Sequence, residues 1–191
     1  MRVGRAERDL TSEQSFRTAS PCLRICAMNV DLILTTFNQH SARFLMIGGM
    51  NFMLRHQPIL TYDLDLWIED TNENRQHCES ALADLGAEWG ATEEAWGPVA
   101  SLSPDWLARQ EMYCLTSKFG AIDIFRVVKG LDNWQVCWKD GLDCSTSAGV
   151  TYRALSDEDM LRCQLALDSG LQKQERIRIL REAIQRKSQH P

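Results

Sequence analysis

The sequence predicts an α+β fold: a mixed β-sheet with flanking helices and a C-terminal helix pair. Three observations predict it. Two strand-like runs, Phe44–Ile47 and Asp63–Ile68, stand among segments of helical period. A second pair of strand-like runs, Glu111–Ser117 and Ala121–Val128, is joined only by Lys118-Phe119-Gly120, a connection of hairpin length. A strong helix start at Ser156 then opens an ending without strand patterning. The 191 residues suffice for one domain with a sizeable core, and 44% hydrophobic with 25% charged residues is ordinary globular composition. Three parts are expected: an N-terminal extension over 1–27, disordered or loosely attached; a core over 28–155; and the helix pair over 156–191, packed on that core.

Residues 1–27 mix Arg, Glu, Ser and Thr with little periodicity, and no apolar stretch follows the basic residues as a signal peptide requires. Met28 is a plausible start of the functional protein. Asn29–His40 reads as a helix, because Val30, Leu32, Ile33, Leu34 and Phe37 include partners at helical spacing on one face. Phe44–Ile47 is a short buried strand cut off by Gly48-Gly49, and a short helix follows. In Asp63–Ile68 the residues alternate, so Asp63 and Asp65 share one face and Leu64 and Leu66 the other. A helix over about Glu73–Leu85 starts at Thr71 or Asn72, stops at Gly86, and turns Cys78, Leu82 and Leu85 inward. From Gly86 to Arg109 periodicity dissolves around Trp89, Trp96 and Trp106. These tryptophans either line an acceptor pocket or lie buried under a folded-over loop. Leu131–Trp138 is a helix candidate, and Asp140–Thr151 a loop with room for a short strand. Ser156 caps a helix with an acidic first turn, whose apolar side is Met160, Leu161, Cys163, Leu165 and Leu167. About Lys173–Arg186 forms the last helix, with Ile177, Leu180 and Ile184 on one stripe.

The paired carboxylates point to chemistry. At about 5 Å and an effective dielectric of about 20 they repel by about 3 kcal/mol. A divalent cation removes that cost, and Mg²⁺ favours one or two carboxylates together with phosphate oxygens. Gly48-Gly49 lets backbone N–H groups approach an anion at the start of a helix. Asp123, between Ile122 and Ile124, is expensive in a buried strand unless partners await it.

The segment from Phe44 to Ile68 resembles the signature of the nucleotidyltransferase superfamily, the DNA polymerase β-like fold. That signature is an apolar residue, Gly-Gly or Gly-Ser, a spacer, then Asp-x-Asp flanked by apolar residues; here Met50–Tyr62 is the spacer. The pattern is most similar to small bacterial members that include toxins of abortive-infection toxin–antitoxin pairs, which read Gly-Gly, an apolar helix, a His, then Arg-x-Thr-x-Asp-x-Asp. His56, Thr61, Asp63 and Asp65 fit; Ile59 stands where Arg is expected and Gln57 where Gly is usual. The resemblance implies Asp63, Asp65 and Asp123 as catalytic metal ligands for two Mg²⁺ ions, with Mn²⁺ as a substitute. It implies Gly48, Gly49, Thr61 and His56 at the nucleotide, although a lone His ending a helix is commonly structural. A Lys is expected near Gln164, with Lys173 or Arg176 as replacements.

The expected activity is transfer of an NMP from an NTP to a hydroxyl of RNA, protein or a small molecule, with an antitoxin as a possible partner. A nucleotide-binding module of the same fold with reduced catalysis is the alternative. A carboxylate-rich hydrolase or nuclease is weaker, because it leaves Gly-Gly without a purpose. Seven scattered cysteines without a C-x-x-C spacing argue against a disulfide framework or structural zinc and for a cytoplasmic protein. A net charge of −5 argues against a general nucleic-acid coat, and no apolar run approaches a membrane span.

Overall fold

The computed structural model describes residues 28–189; the expectation for residues 1–27 lies outside them. Among the described residues, six helices and eight strands form an α+β architecture on one mixed sheet. Helix α1 (Val30–Gln39) starts where the Asn29 side chain accepts from the Leu32 N–H at 3.0 Å. Strand β1 (Phe44–Met46) leads into helix α2 (Gly48–Arg55) and strand β2 (Asp63–Ile68). Helix α3 (Asn72–Asp84) is capped by the Thr71 hydroxyl, which accepts from the Asn74 N–H.

The stretch without period contains a two-residue pair, β3 (Glu88–Trp89) and β4 (Gly97–Pro98), and two 3₁₀ turns. Trp106 is buried there against Tyr113, ring centroids 5.1 Å apart; Trp89 is half-buried and Trp96 exposed. The hairpin of β5 (Met112–Ser117) and β6 (Gly120–Phe125) follows. Helix α4 (Trp134–Asp140) begins three residues later than the pattern indicates, because Asn133 accepts from the Val136 N–H and sets the start. Where a loop with room for one short strand was expected, two strands, β7 (Leu142–Ser145) and β8 (Thr151–Ala154), form a further hairpin. Helices α5 (Asp157–Ala166) and α6 (Gln174–Gln189) close the described chain.

The strand order is β4-β3-β5-β6-β2-β1-β8-β7. The β2/β6 and β1/β8 pairs are parallel and the others antiparallel. Alternation along the strands divides the core between the two faces. On one face Leu64, Leu66, Ile122 and Ile124 pack with Ile33, Leu34 and Phe37 of α1 and with Cys78 and Leu82 of α3. On the other, Leu45 and Trp67 pack with Phe52 of α2, Met160 of α5 and Leu180 of α6. In α5 the apolar side departs from expectation: Leu165 is exposed and Gln164 is buried. Gln164 is tolerated inside because its side-chain oxygen accepts from the Lys173 backbone N–H at 3.1 Å. Among the described residues no helix is long and apolar enough to cross a membrane.

Candidate metal centre

The start of β2 and the middle of β6 lie side by side in parallel register, with Asp63 opposite Ala121 and Asp65 opposite Asp123. Leu64, Leu66, Ile122 and Ile124 are held in the α1/α3 core, so all three aspartates project from the opposite face. One oxygen from each of Asp63, Asp65 and Asp123 lies within 4.8 Å of the others. A single hard cation fits such a donor set, and carboxylate oxygens are the ligands Mg²⁺ and Mn²⁺ prefer.

The electrostatics bear the cost of this arrangement. The Asp65 carboxyl is pushed up to about 6, first by burial, then by the Asp63 charge and, more weakly, by Asp123. The Gly49 N–H and Arg176 oppose the rise. Asp123 is also raised, by burial and by Asp63, while a hydrogen bond from the Cys114 thiol draws it back. Like charges gathered out of water favour protonation unless a cation arrives.

The glycines do not form a separate turn before the helix. Ile47 occupies the N-cap position, and Gly48 and Gly49 are the first two residues of α2. Gly48 adopts φ +64°, and a Cβ there would sit 1.9 Å from Asp65 Oδ2. A Cβ on Gly49 would meet the Thr61 hydroxyl at 2.6 Å. Glycine is needed at both positions so that the helix start can press against the carboxylate strand. The Gly49 N–H donates to Asp65 Oδ2 at 3.3 Å, and the Thr61 hydroxyl donates to Asp63 Oδ1 at 3.0 Å. Thr61 thus holds one aspartate, as the helix start holds the other.

Beside Asp65 lies a cavity of about 230 Å³, lined by Ile47, Gly48, Phe125, Leu155, Gln164 and Arg176 among others. Arg176, on α6, places its guanidinium 5.1 Å from the centre of the Phe52 ring. It is half-buried, and an arginine remains charged at any physiological pH. Of the two replacement cations suggested by the sequence, Arg176 lines this cavity and Lys173 is exposed and does not. Ile59, at the position where Arg was expected, packs against the second core cluster.

His56 sits elsewhere. Its Nε2 lies 2.9 Å from Asp157 Oδ1, which also receives Arg55 Nη2 at 2.7 Å, and its ring packs on Phe52. The residue is thus tied to the first turn of α5 and is not among those lining the cavity beside Asp65. One neighbour of the triad was not anticipated. Cys114 is exposed and stands directly opposite Asp123 across the β5–β6 hairpin. The tight connection at Lys118-Phe119 fixes that register, so the hairpin reading already contained the signal. The five described cysteines are free thiols: Cys78 and Cys137 are buried in the core, Cys144 and Cys163 half-buried and Cys114 exposed.

No protein-family model and no curated protein matches the chain.

Proposed function

We propose that this chain is a metal-dependent nucleotidyltransferase that moves an NMP from an NTP to a hydroxyl acceptor. The observation that carries the reading is the convergence of Asp63, Asp65 and Asp123 at the glycine-started N-terminus of α2. Mg²⁺, or Mn²⁺ in its place, would be held by these three carboxylates and would supply charge neutralisation for a triphosphate and an acceptor oxygen. The first N–H groups of α2, at Gly48 and Gly49, offer the triphosphate donors at the positive end of a helix. Arg176 adds the cation that faces the same cavity. Thr61 keeps Asp63 oriented. His56 supports this framework through Asp157, and a contact to the nucleotide remains part of the proposal.

The resemblance to abortive-infection toxins extends the reading to a cytoplasmic toxin with an antitoxin partner. Co-purification with the product of an adjacent gene tests that part. For the activity, the full chain is incubated with Mg²⁺ and each of the four α-labelled NTPs, with total RNA, cell lysate and small hydroxyl compounds as acceptors. Transfer that disappears with Asp63→Asn or Asp123→Asn supports the proposal. Absence of transfer to every acceptor, with no calorimetric binding of Mg·NTP, sinks it.

A second reading has its own observation. Ile59 is an apolar, partly buried residue packed against the core, and Gln164 is engaged by the Lys173 backbone, so two expected basic contacts are missing. Mg·NTP binding without transfer, in the same experiment, would favour a nucleotide-binding module of the same fold.

A further inference from the structure

Gln164 stands where two cavities meet. Phe125, Val128, Cys163, Gln164 and Leu167 line the cavity beside Asp65, and the same five residues line a second cavity of about 470 Å³. The shared wall makes them adjoining parts of one cleft. Its inner end carries Gly48, Asp65 and Arg176. Its waist is apolar around the single amide of Gln164. Helical spacing sets this position: Met160, Cys163 and Gln164 of α5, with Leu167 just beyond it, stand at i, i+3, i+4 and i+7, so one stripe of the helix faces the cleft.

Gln164 is only 9% exposed. Its Oε1 accepts from the Lys173 N–H at 3.1 Å, which fixes the amide with the oxygen toward the α5–α6 link and the NH₂ turned away from it. Among the described residues Nε2 has no hydrogen-bond partner, yet it is not one of the partnerless side-chain atoms sealed from solvent, which are Asn51 Oδ1, Arg126 Nε and Asp159 Oδ2. It therefore meets the space of the cleft that Gln164 lines. A donor held in an apolar wall without a partner marks a place for an acceptor atom.

A ligand matched to this cleft has an anionic end for Arg176 and the start of α2, and a flat, largely apolar body with an acceptor on its edge. We propose that the base of the NTP lies in the waist formed by Phe125, Val128 and Leu167, and that Gln164 Nε2 donates to a carbonyl oxygen of that base, which makes Gln164 the specificity-determining residue. The proposal rests on the nucleotidyltransferase reading. The class of base follows from the fixed amide. An amide side chain reads adenine through both of its atoms, donating to N7 and accepting from the N6 amine. Here the oxygen is committed to Lys173, so the adenine amine finds no acceptor on Gln164. Uracil, cytosine and guanine each carry a ring carbonyl that the NH₂ can serve. The expected substrates are UTP, CTP or GTP, with ATP disfavoured.

The test is calorimetric titration of the full chain with the Mg²⁺ complexes of the four NTPs and of tripolyphosphate, which lacks a base. At least one of UTP, CTP and GTP should bind about tenfold or more tighter than ATP and than tripolyphosphate. Gln164→Glu keeps an oxygen for the Lys173 N–H and removes the NH₂. Its added charge weakens every anion together, so the readout is the ratio of each Kd to that of tripolyphosphate. That advantage of about tenfold should be lost in Gln164→Glu and equally in Gln164→Met, which is neutral and of similar length. ATP as the tightest ligand, NTPs no tighter than tripolyphosphate, or wild-type ratios kept in either variant overturns the inference and leaves the transferase reading standing. Absence of binding by all four NTPs and by tripolyphosphate overturns both.

Discussion

The α-carbon of Gly48 stands so close to Asp65 that a methyl group added there would lie 1.9 Å from the carboxylate oxygen Oδ2. The obstruction is doubled by φ +64°, where a side chain costs about 1–2 kcal/mol. Gly48→Ala should therefore lower stability by at least that amount and also displace Asp65. Thermal denaturation reads the first effect. Calorimetric Mn²⁺ titration reads the second, as a loss of affinity of about tenfold or more.

Asp65 makes metal-free stability depend on pH. Its folded value of about 6 lies above the ordinary 3.8, so the folded state binds the proton more tightly than the unfolded state does. Its contribution is fully present below about 4 and is lost as pH rises through 6, a fall of about 3 kcal/mol at most. Asp123, shifted in the same direction, adds to the slope. Urea denaturation from pH 4 to 8 in EDTA should show the decline, and Asp65→Asn should flatten it. Saturating Mg²⁺ should restore stability most at the alkaline end, where the carboxylates are ionised.

Arg176 contributes a charge to the cavity without touching the triad's donor set. Arg176→Ala should weaken Mg·NTP binding about 10- to 100-fold, the range for losing a charge-assisted contact to phosphate. Mn²⁺ affinity in the absence of nucleotide should change little. Equal losses in both titrations would contradict the separate roles.

Asp157 is a framework residue. Its side chain is 14% exposed and receives both Arg55 and His56, so Asp157→Ala leaves Arg55, itself only 12% exposed, without its carboxylate. A loss of about 3 kcal/mol in urea denaturation is expected, with Mn²⁺ affinity at the triad retained once the variant is folded.

Much of the site was legible because its signals are local. Alternation in Asp63–Ile68 fixed the shared face of two aspartates, and the tight hairpin before Ala121 fixed the third strand. The β3–β4 pair was invisible because two residues carry no period. The β7–β8 hairpin was hidden by the polar run Ser145-Thr146-Ser147, where the Thr146 N–H and the Val150 carbonyl close the turn. The burial of Gln164 was not legible because its partner, the Lys173 backbone, comes from the link to the next helix. Arg176 could be nominated from the sequence, but only the packing of α6 across Phe52 distinguished it from Lys173.

The pairing of Asp65 with Asp123 joins two strands that are distant in the chain. Helix α3, the short β3–β4 pair and β5 all lie between β2 and β6. A one-residue slip would turn Asp123 toward α1 and bring Ile122 or Ile124 to the solvent side. A misregistered chain therefore lacks the third carboxylate, and a cation that required all three would distinguish the finished sheet from a slipped one.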